Sequence, residues 1–322
     1  MSNKLLIEHI QKLKPKLKIN SIQTYITNLY KICRELKGKS KKDCDLDDLS
    51  FLDNFDDVMK TIKDETLNTR KNRLIAIVVS LKAIEGDKQL IEKYSEEMTK
   101  LAEQSEERLK NQKLTDKQRE NWVSYEQLIK LTEKLFDEIK KDEILKKEKL
   151  TRVEYTTLQD YILLRTYLVF SWRNDFAEMK ILKSEKEDDN KNNFLLLKKG
   201  IPDKFILNQY KTDSKYGKKS VKIPSSLAKV IKKFLKFNKS GYFLTLQDGI
   251  RPINSNGITK ALNRLFEKHL GKTIGSSLLR HIVISHFRKN DPTIKEMEEK
   301  QKEIEDKFMH SASMNDQYRK ID

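Results

Sequence analysis

A chain of 322 residues is long enough for two domains, and 37% apolar against 36% charged residues gives a core beneath a heavily charged surface. The formal net charge of +17 favours a polyanionic partner, because each phosphate contact releases condensed counterions, although charge alone leaves DNA, RNA and anionic lipid open. No stretch approaches the roughly 18 apolar residues that span a bilayer. The opening MSNKLLIEHIQKLKPKLK lacks the apolar run of a signal peptide, so a soluble, intracellular protein without a membrane partner is expected.

Along the first third, Ile22, Tyr25, Ile26, Leu29, Tyr30, Cys33 and Leu36 repeat at helical spacing and predict a helix from Ser21. Leu52, Phe55, Val58, Met59 and Ile62 predict a shorter one. A third starts near Glu65 and buries Leu74, Ile75, Ile77, Val78, Leu81 and Ile84. Its first turns carry Thr69, Arg70, Lys71 and Arg73, which either touch DNA phosphates or form a basic, solvated helix end. Cys33 and Cys44 have no metal-type spacing; they could pair, but Cys33 lies in an apolar stripe, where a reduced core thiol is the expectation. From Glu92 to Asn121 the chain is almost wholly polar, a charged helix running into a linker. The expected division is a helical domain over 1–112, a linker over 113–122 and a second domain over 123–322.

The second domain opens with two helical stripes, Leu128 to Ile139 and Leu158 to Phe170. The period then changes to two. DKFILNQYK alternates Phe205, Leu207 and Gln209, and KSVKIP alternates Val221 and Ile223, with Gly217 between them for a turn of positive φ. This is a β-hairpin signal. Helices return over 225–237, over 258–269 and from Ser277 onward. The fold class is therefore mainly α with a small antiparallel β-sheet (α+β). Trp122 and Trp172 read as core or boundary packing.

No P-loop, zinc spacing or metal-type carboxylate cluster stands out. Metal-free cleavage of DNA needs a protein nucleophile, cations for the phosphate oxygens and an acid for the leaving 5′-oxygen. FSWRNDFAEMKI supplies Arg173, QYKTDSKYGKK supplies Lys211, SSLLRHIVISHF supplies Arg280, and FMHSASMNDQYRKID supplies His310 and Tyr318. Arg173 alone reads as a surface residue at a helix end, and Tyr318 alone as a terminal aromatic. Lys211 competes with Lys215, Lys218 and Lys219, and Lys215 is a candidate DNA contact. The weight lies in the ordered set.

That order, with the strings Arg-x-Asp, EMK, YKT, LLRH and His-Ser before a terminal Tyr, resembles the tyrosine recombinase (phage integrase) family over residues 123–322. The strings look more like recombinases of large DNA viruses and their satellites than like bacterial ones. The resemblance implies a helical core-binding domain and a catalytic domain that close as a C-shaped clamp on double-stranded DNA, in a homotetramer on paired sites. It implies that Arg173 and Arg280 clamp the scissile phosphate, Lys211 protonates the leaving oxygen, His310 bonds the phosphate and Tyr318 attacks it. Neither ATP, metal nor another cofactor is required. Three departures stand out: Ser277 occupies a position that is usually His, the His310-to-Tyr318 spacing is eight rather than the family's usual nine, and only Arg319, Lys320, Ile321 and Asp322 follow the tyrosine. A type IB topoisomerase uses the same chemistry, and a DNA-binding protein that has lost catalysis is the alternative of another class.

Overall fold

The computed structural model describes residues 3–38, 40 and 44–308, with side chains to residue 303. The described chain is mostly helical with one small sheet, and it forms two compact units. One holds residues up to Lys113 together with the segment from Pro292; the other runs from Leu114 to Asp291.

The first unit contains α1 (Lys4–Leu13), α2 (Ile19–Lys37), α3 (Phe55–Ile62), α4 (Leu67–Ala83) and α5 (Lys88–Lys110). Its core gathers the expected stripes: Ile22, Ile26, Leu29 and Cys33 from α2 meet Leu74, Ile77, Val78 and Leu81 from α4. The helix starts are set by side chains that accept otherwise unpaired backbone N–H groups, Thr66 from Thr69 at 3.3 Å and Asp87 from Leu90 at 2.7 Å. Tyr94 of α5 is fully buried and donates to the Leu52 carbonyl at 2.7 Å.

Two sequence expectations are corrected in this unit. Cys33 and Cys44 form a disulfide with a Cα separation of 6.2 Å, where a reduced thiol was expected. The apolar stripe placed Cys33 in the core, but the returning chain brings Cys44 against it, which no helical pattern encodes. Arg73 is 2% exposed and is held by Glu35 at 2.9 Å and by Glu65, so its charge is neutralised inside the fold and does not face DNA.

The last described helix, α13 (Ile294–Phe308), belongs to this unit as well. It lies beside α5 through Lys295 on Glu107 (3.0 Å) and Glu298 on Lys110 (3.1 Å), with Gln112 accepting from the Ile294 N–H (3.1 Å). The second domain expected from sequence instead ran unbroken to residue 322.

The second unit comprises α6 (Asp116–Asn121), α7 (Tyr125–Lys141), α8 (Arg152–Phe170), β1 (Lys180–Leu182), β2 (Phe194–Lys198), β3 (Ile201–Leu207), α9 (Asp213–Tyr216), β4 (Lys219–Lys222), α10 (Ser225–Phe234), α11 (Ser255–Leu270) and α12 (Ser276–Phe287). The hairpin read from sequence is β3 paired antiparallel with β4, Phe205 opposite Val221 and Leu207 opposite Lys219, and Gly217 takes a φ of 65° before β4. The sheet has the order β1-β2-β3-β4 and is mixed rather than antiparallel, because β1 and β2 run parallel. Residues 183–193 carry the chain back far enough to start β2 in the same direction.

Both faces of the sheet are covered. Leu195 and Phe205 enter the main core, whereas Leu182, Phe194, Leu196 and Ile206 form a separate cluster on the other side. Under the sheet Trp172, Phe176, Phe205 and Phe243 interlock, with Trp172–Phe176 at 5.1 Å, Phe176–Phe205 at 5.4 Å and Phe205–Phe243 at 5.5 Å between ring centroids. Burying each such ring contributes on the order of 2–3 kcal/mol. This aromatic floor carries the turn that bears Arg173.

Candidate functional site

Helix α8 ends where Ser171 adopts a left-handed φ of 44°, and the following turn drives Trp172 into the core and leaves Arg173 outside. Asn174 pins the turn. Its Nδ2 donates to the Ser255 carbonyl (2.7 Å), Ser255 Oγ (3.0 Å) and Thr259 Oγ1 (3.0 Å), all at the start of α11. Its Oδ1 accepts from the buried Tyr167 hydroxyl at 2.7 Å.

Arg280 reaches the same place from α12. Gly275 caps the start of the helix, and an added Cβ there would lie 3.2 Å from Thr259 Cγ2 and 3.4 Å from Asn263 Oδ1, so a larger residue would press on α11. The loop before it is fastened to the end of α6: Thr273 N–H donates to Asn121 Oδ1 at 2.8 Å and Lys272 to the Glu120 carbonyl at 2.7 Å. Thr259 therefore lies between the two arginine-bearing segments.

Electrostatics tie the pair together. Partial burial holds the Arg280 guanidinium below its ordinary pKa, and the neighbouring Arg173 charge adds to this. Both charges reach Asp175, whose carboxyl is raised by burial and pulled back by Arg173 and Arg280. Burial, followed by the Asp175 charge, holds the Tyr167 phenol well above its usual range, so Tyr167 supports the site as a neutral donor. Neither guanidinium has a side-chain hydrogen bond or ion pair with any described residue. Two like charges drawn together from separate elements, that of Arg280 partly desolvated, make a patch suited to the anionic oxygens of a phosphate.

Lys211 lies four residues past the end of β3, in the connection to α9, rather than at the strand terminus. Here the structure separates the hairpin lysines. Lys218 is paired with Asp188, Lys219 stands over the rings of Tyr216 (4.9 Å) and Tyr210 (5.5 Å), and Lys215 stands over Tyr216 (5.3 Å). Lys211 is exposed and has no such partner among the described residues.

Ser277 is exposed in the first turn of α12, and it is its neighbour Ser276 that hydrogen-bonds Tyr167. His310 and Tyr318 lie outside the described residues. On α4, Thr69 completes the Thr66 cap, Lys71 donates to Ser105 Oγ at 3.0 Å, and Arg70 is half-buried with no partner on its Nε. Sequence reasoning missed the parts played by Tyr167, Asn174 and Asp175. Asp175 alone left a signal, two residues after Arg173; the others gain their roles only through contacts distant in sequence.

Among the described residues no helix is long and apolar enough to cross a membrane. No protein-family model matches the chain. No curated protein matches it either. Among solved structures the chain is similar to a crystal structure of XerA recombinase, at 10% identity and a TM-score of 0.32, over 99% of this chain and 94% of that one. So slight a likeness carries no argument about function.

Proposed function

We propose that the protein cleaves and rejoins double-stranded DNA through a 3′-phosphotyrosyl intermediate, as a tyrosine recombinase acting at specific sites. The observation that carries this reading is the partnerless pair of guanidinium groups, Arg173 and Arg280, delivered to one place by α8 and α12. The order of site residues along the chain supports it. In the reaction the Tyr318 oxygen bonds to phosphorus as its proton passes to water, the bond from phosphorus to the 5′-oxygen breaks, and Lys211 gives that oxygen a proton. Arg173 and Arg280 hold the non-bridging oxygens as charge builds on them, and His310 bonds the same phosphate. The phosphotyrosyl bond keeps the energy needed for religation, so the scheme calls for no ATP. Strand exchange between paired sites would engage four copies of the chain.

The test is incubation with supercoiled plasmid in EDTA, an SDS quench and detection of DNA-linked protein. An adduct formed by the wild type and absent from Tyr318→Phe is expected. Equal adducts in both would move the nucleophile elsewhere. Binding to supercoiled plasmid without any adduct would sink the catalytic reading. Joined products from two sites mark a recombinase, and relaxation by a monomer marks a type IB topoisomerase.

A further inference from the structure

Between the Arg173 turn and the Lys211 connection stands one side chain whose every hydrogen-bonding position is used. Asn193, just ahead of β2, donates from Nδ2 to the Asp175 carbonyl at 3.0 Å and to the Gln209 carbonyl at 2.8 Å. Its Oδ1 accepts from the N–H groups of Asn208 at 3.0 Å and Gln209 at 2.9 Å. A carboxamide has two donor hydrogens and two acceptor lone pairs, and all four are engaged here. Against Gln209 it behaves as an additional rung of sheet, extending the pairing past the last residue of β3. Its own carbonyl accepts from Lys180 N–H at 3.0 Å, which anchors it to β1.

The four side-chain bonds join only two segments. One contains Asp175, two residues after Arg173; the other contains Gln209, two residues before Lys211. Neighbouring bonds fasten the hairpin to the same loop: Asn208 Nδ2 donates to Asp188 Oδ1 at 2.8 Å and to the Asn192 carbonyl at 2.7 Å, and Asp188 also holds Lys218 across the hairpin. Lys211, by contrast, has no side-chain hydrogen bond or ion pair with a described residue, so its backbone determines where its ammonium can reach.

We infer that Asn193 is a positioning residue for the general acid: resting on the recombinase reading above, it fixes Lys211 relative to the phosphate gripped by Arg173 and Arg280. Proton donation falls steeply when donor and leaving oxygen drift by about 1 Å, an error that can cost about 100-fold. The Arg173 turn is also pinned by Asn174, so the contribution of Asn193 falls on the leaving-group step.

The experiment compares two duplexes carrying the cleavage site mapped from plasmid adducts, one with the ordinary 5′-bridging oxygen and one with sulfur in its place. A thiolate departs without a proton, so the sulfur substrate bypasses the acid. Asn193→Asp keeps the size of the side chain but sets an oxygen against the Asp175 and Gln209 carbonyls. It is expected to cleave the oxygen substrate about 100-fold more slowly than wild type and the sulfur substrate within about threefold of it, as is Lys211→Ala. Arg280→Ala stays slow on both. Equal loss on both substrates, or no loss on either, overturns the role of Asn193. Should Asn193→Asp lose its near-ultraviolet circular dichroism, Asn193→Ala takes its place with the same expected ratio. A wild type that forms no adduct, or a Lys211→Ala variant that cleaves the oxygen substrate normally, removes the recombinase reading itself. Intact Lys211 dependence with an unrescued Asn193 variant removes the positioning role alone.

Discussion

At Arg280 two costs coincide, since its guanidinium is drawn partly out of water and stands beside a second positive charge. In the proposed reaction the bound phosphate offsets both. Arg280→Ala is therefore expected to lower the cleavage rate by about 100- to 1,000-fold, with a melting temperature equal to or above that of the wild type. A structural arginine would do the reverse, losing stability first, and calorimetry beside the adduct assay separates the cases. Asp160 offers a contrasting buried charge. Arg264 grips it through both oxygens, at 2.7 and 2.9 Å, yet burial dominates and pushes its carboxyl up to about 6. A carboxyl whose folded pKa exceeds its unfolded value stabilises the fold most when protonated. Its contribution, roughly 3 kcal/mol, is complete below pH 3.8 and is lost as pH rises through about 6. Urea titrations at pH 4 and pH 7 should show this difference in the wild type and not in Asp160→Asn, whereas an unchanged difference would place the titration elsewhere.

Elements were legible in proportion to how one-sided their burial is. The helices α2 and α7 each bury one face, and their apolar residues recur at the matching period. Strand β2 escaped notice because Phe194, Leu195 and Leu196 are all buried, on opposite faces of a sheet covered on both sides, so no alternation survives. Strand β1 has three residues, too few to show a period, and its parallel pairing is a property of the connection. Within the site, Arg173 and Arg280 could be named from local strings, yet the strings hold nothing about Asn174 or Asn193. Each of those is one amide among several in polar loops, singled out only when α11 or β3 arrives beside it. Arg73 shows the converse. A basic run at a helix start looks solvated until Glu35 and Glu65 close over one member of it.

On the scale of the whole molecule, the +17 charge is carried by a chain that passes between its two units twice, near Lys113 and again near Asp291. The second passage ends in α13, which is held against α5 by ion pairs whose side chains are substantially exposed. Such pairs are individually weak and are screened by salt. A protease that nicks the first passage would therefore not immediately release a fragment. The piece beginning near Leu114 still carries α13, and α13 still rests on the α5 of the other piece. On gel filtration the nicked chain should elute as one species at low ionic strength and as two at high ionic strength, and early separation at low salt would refute this. The ion pairs between α5 and α13 thus act as a removable fastener, one that leaves a severed polypeptide in one piece until the buffer undoes it.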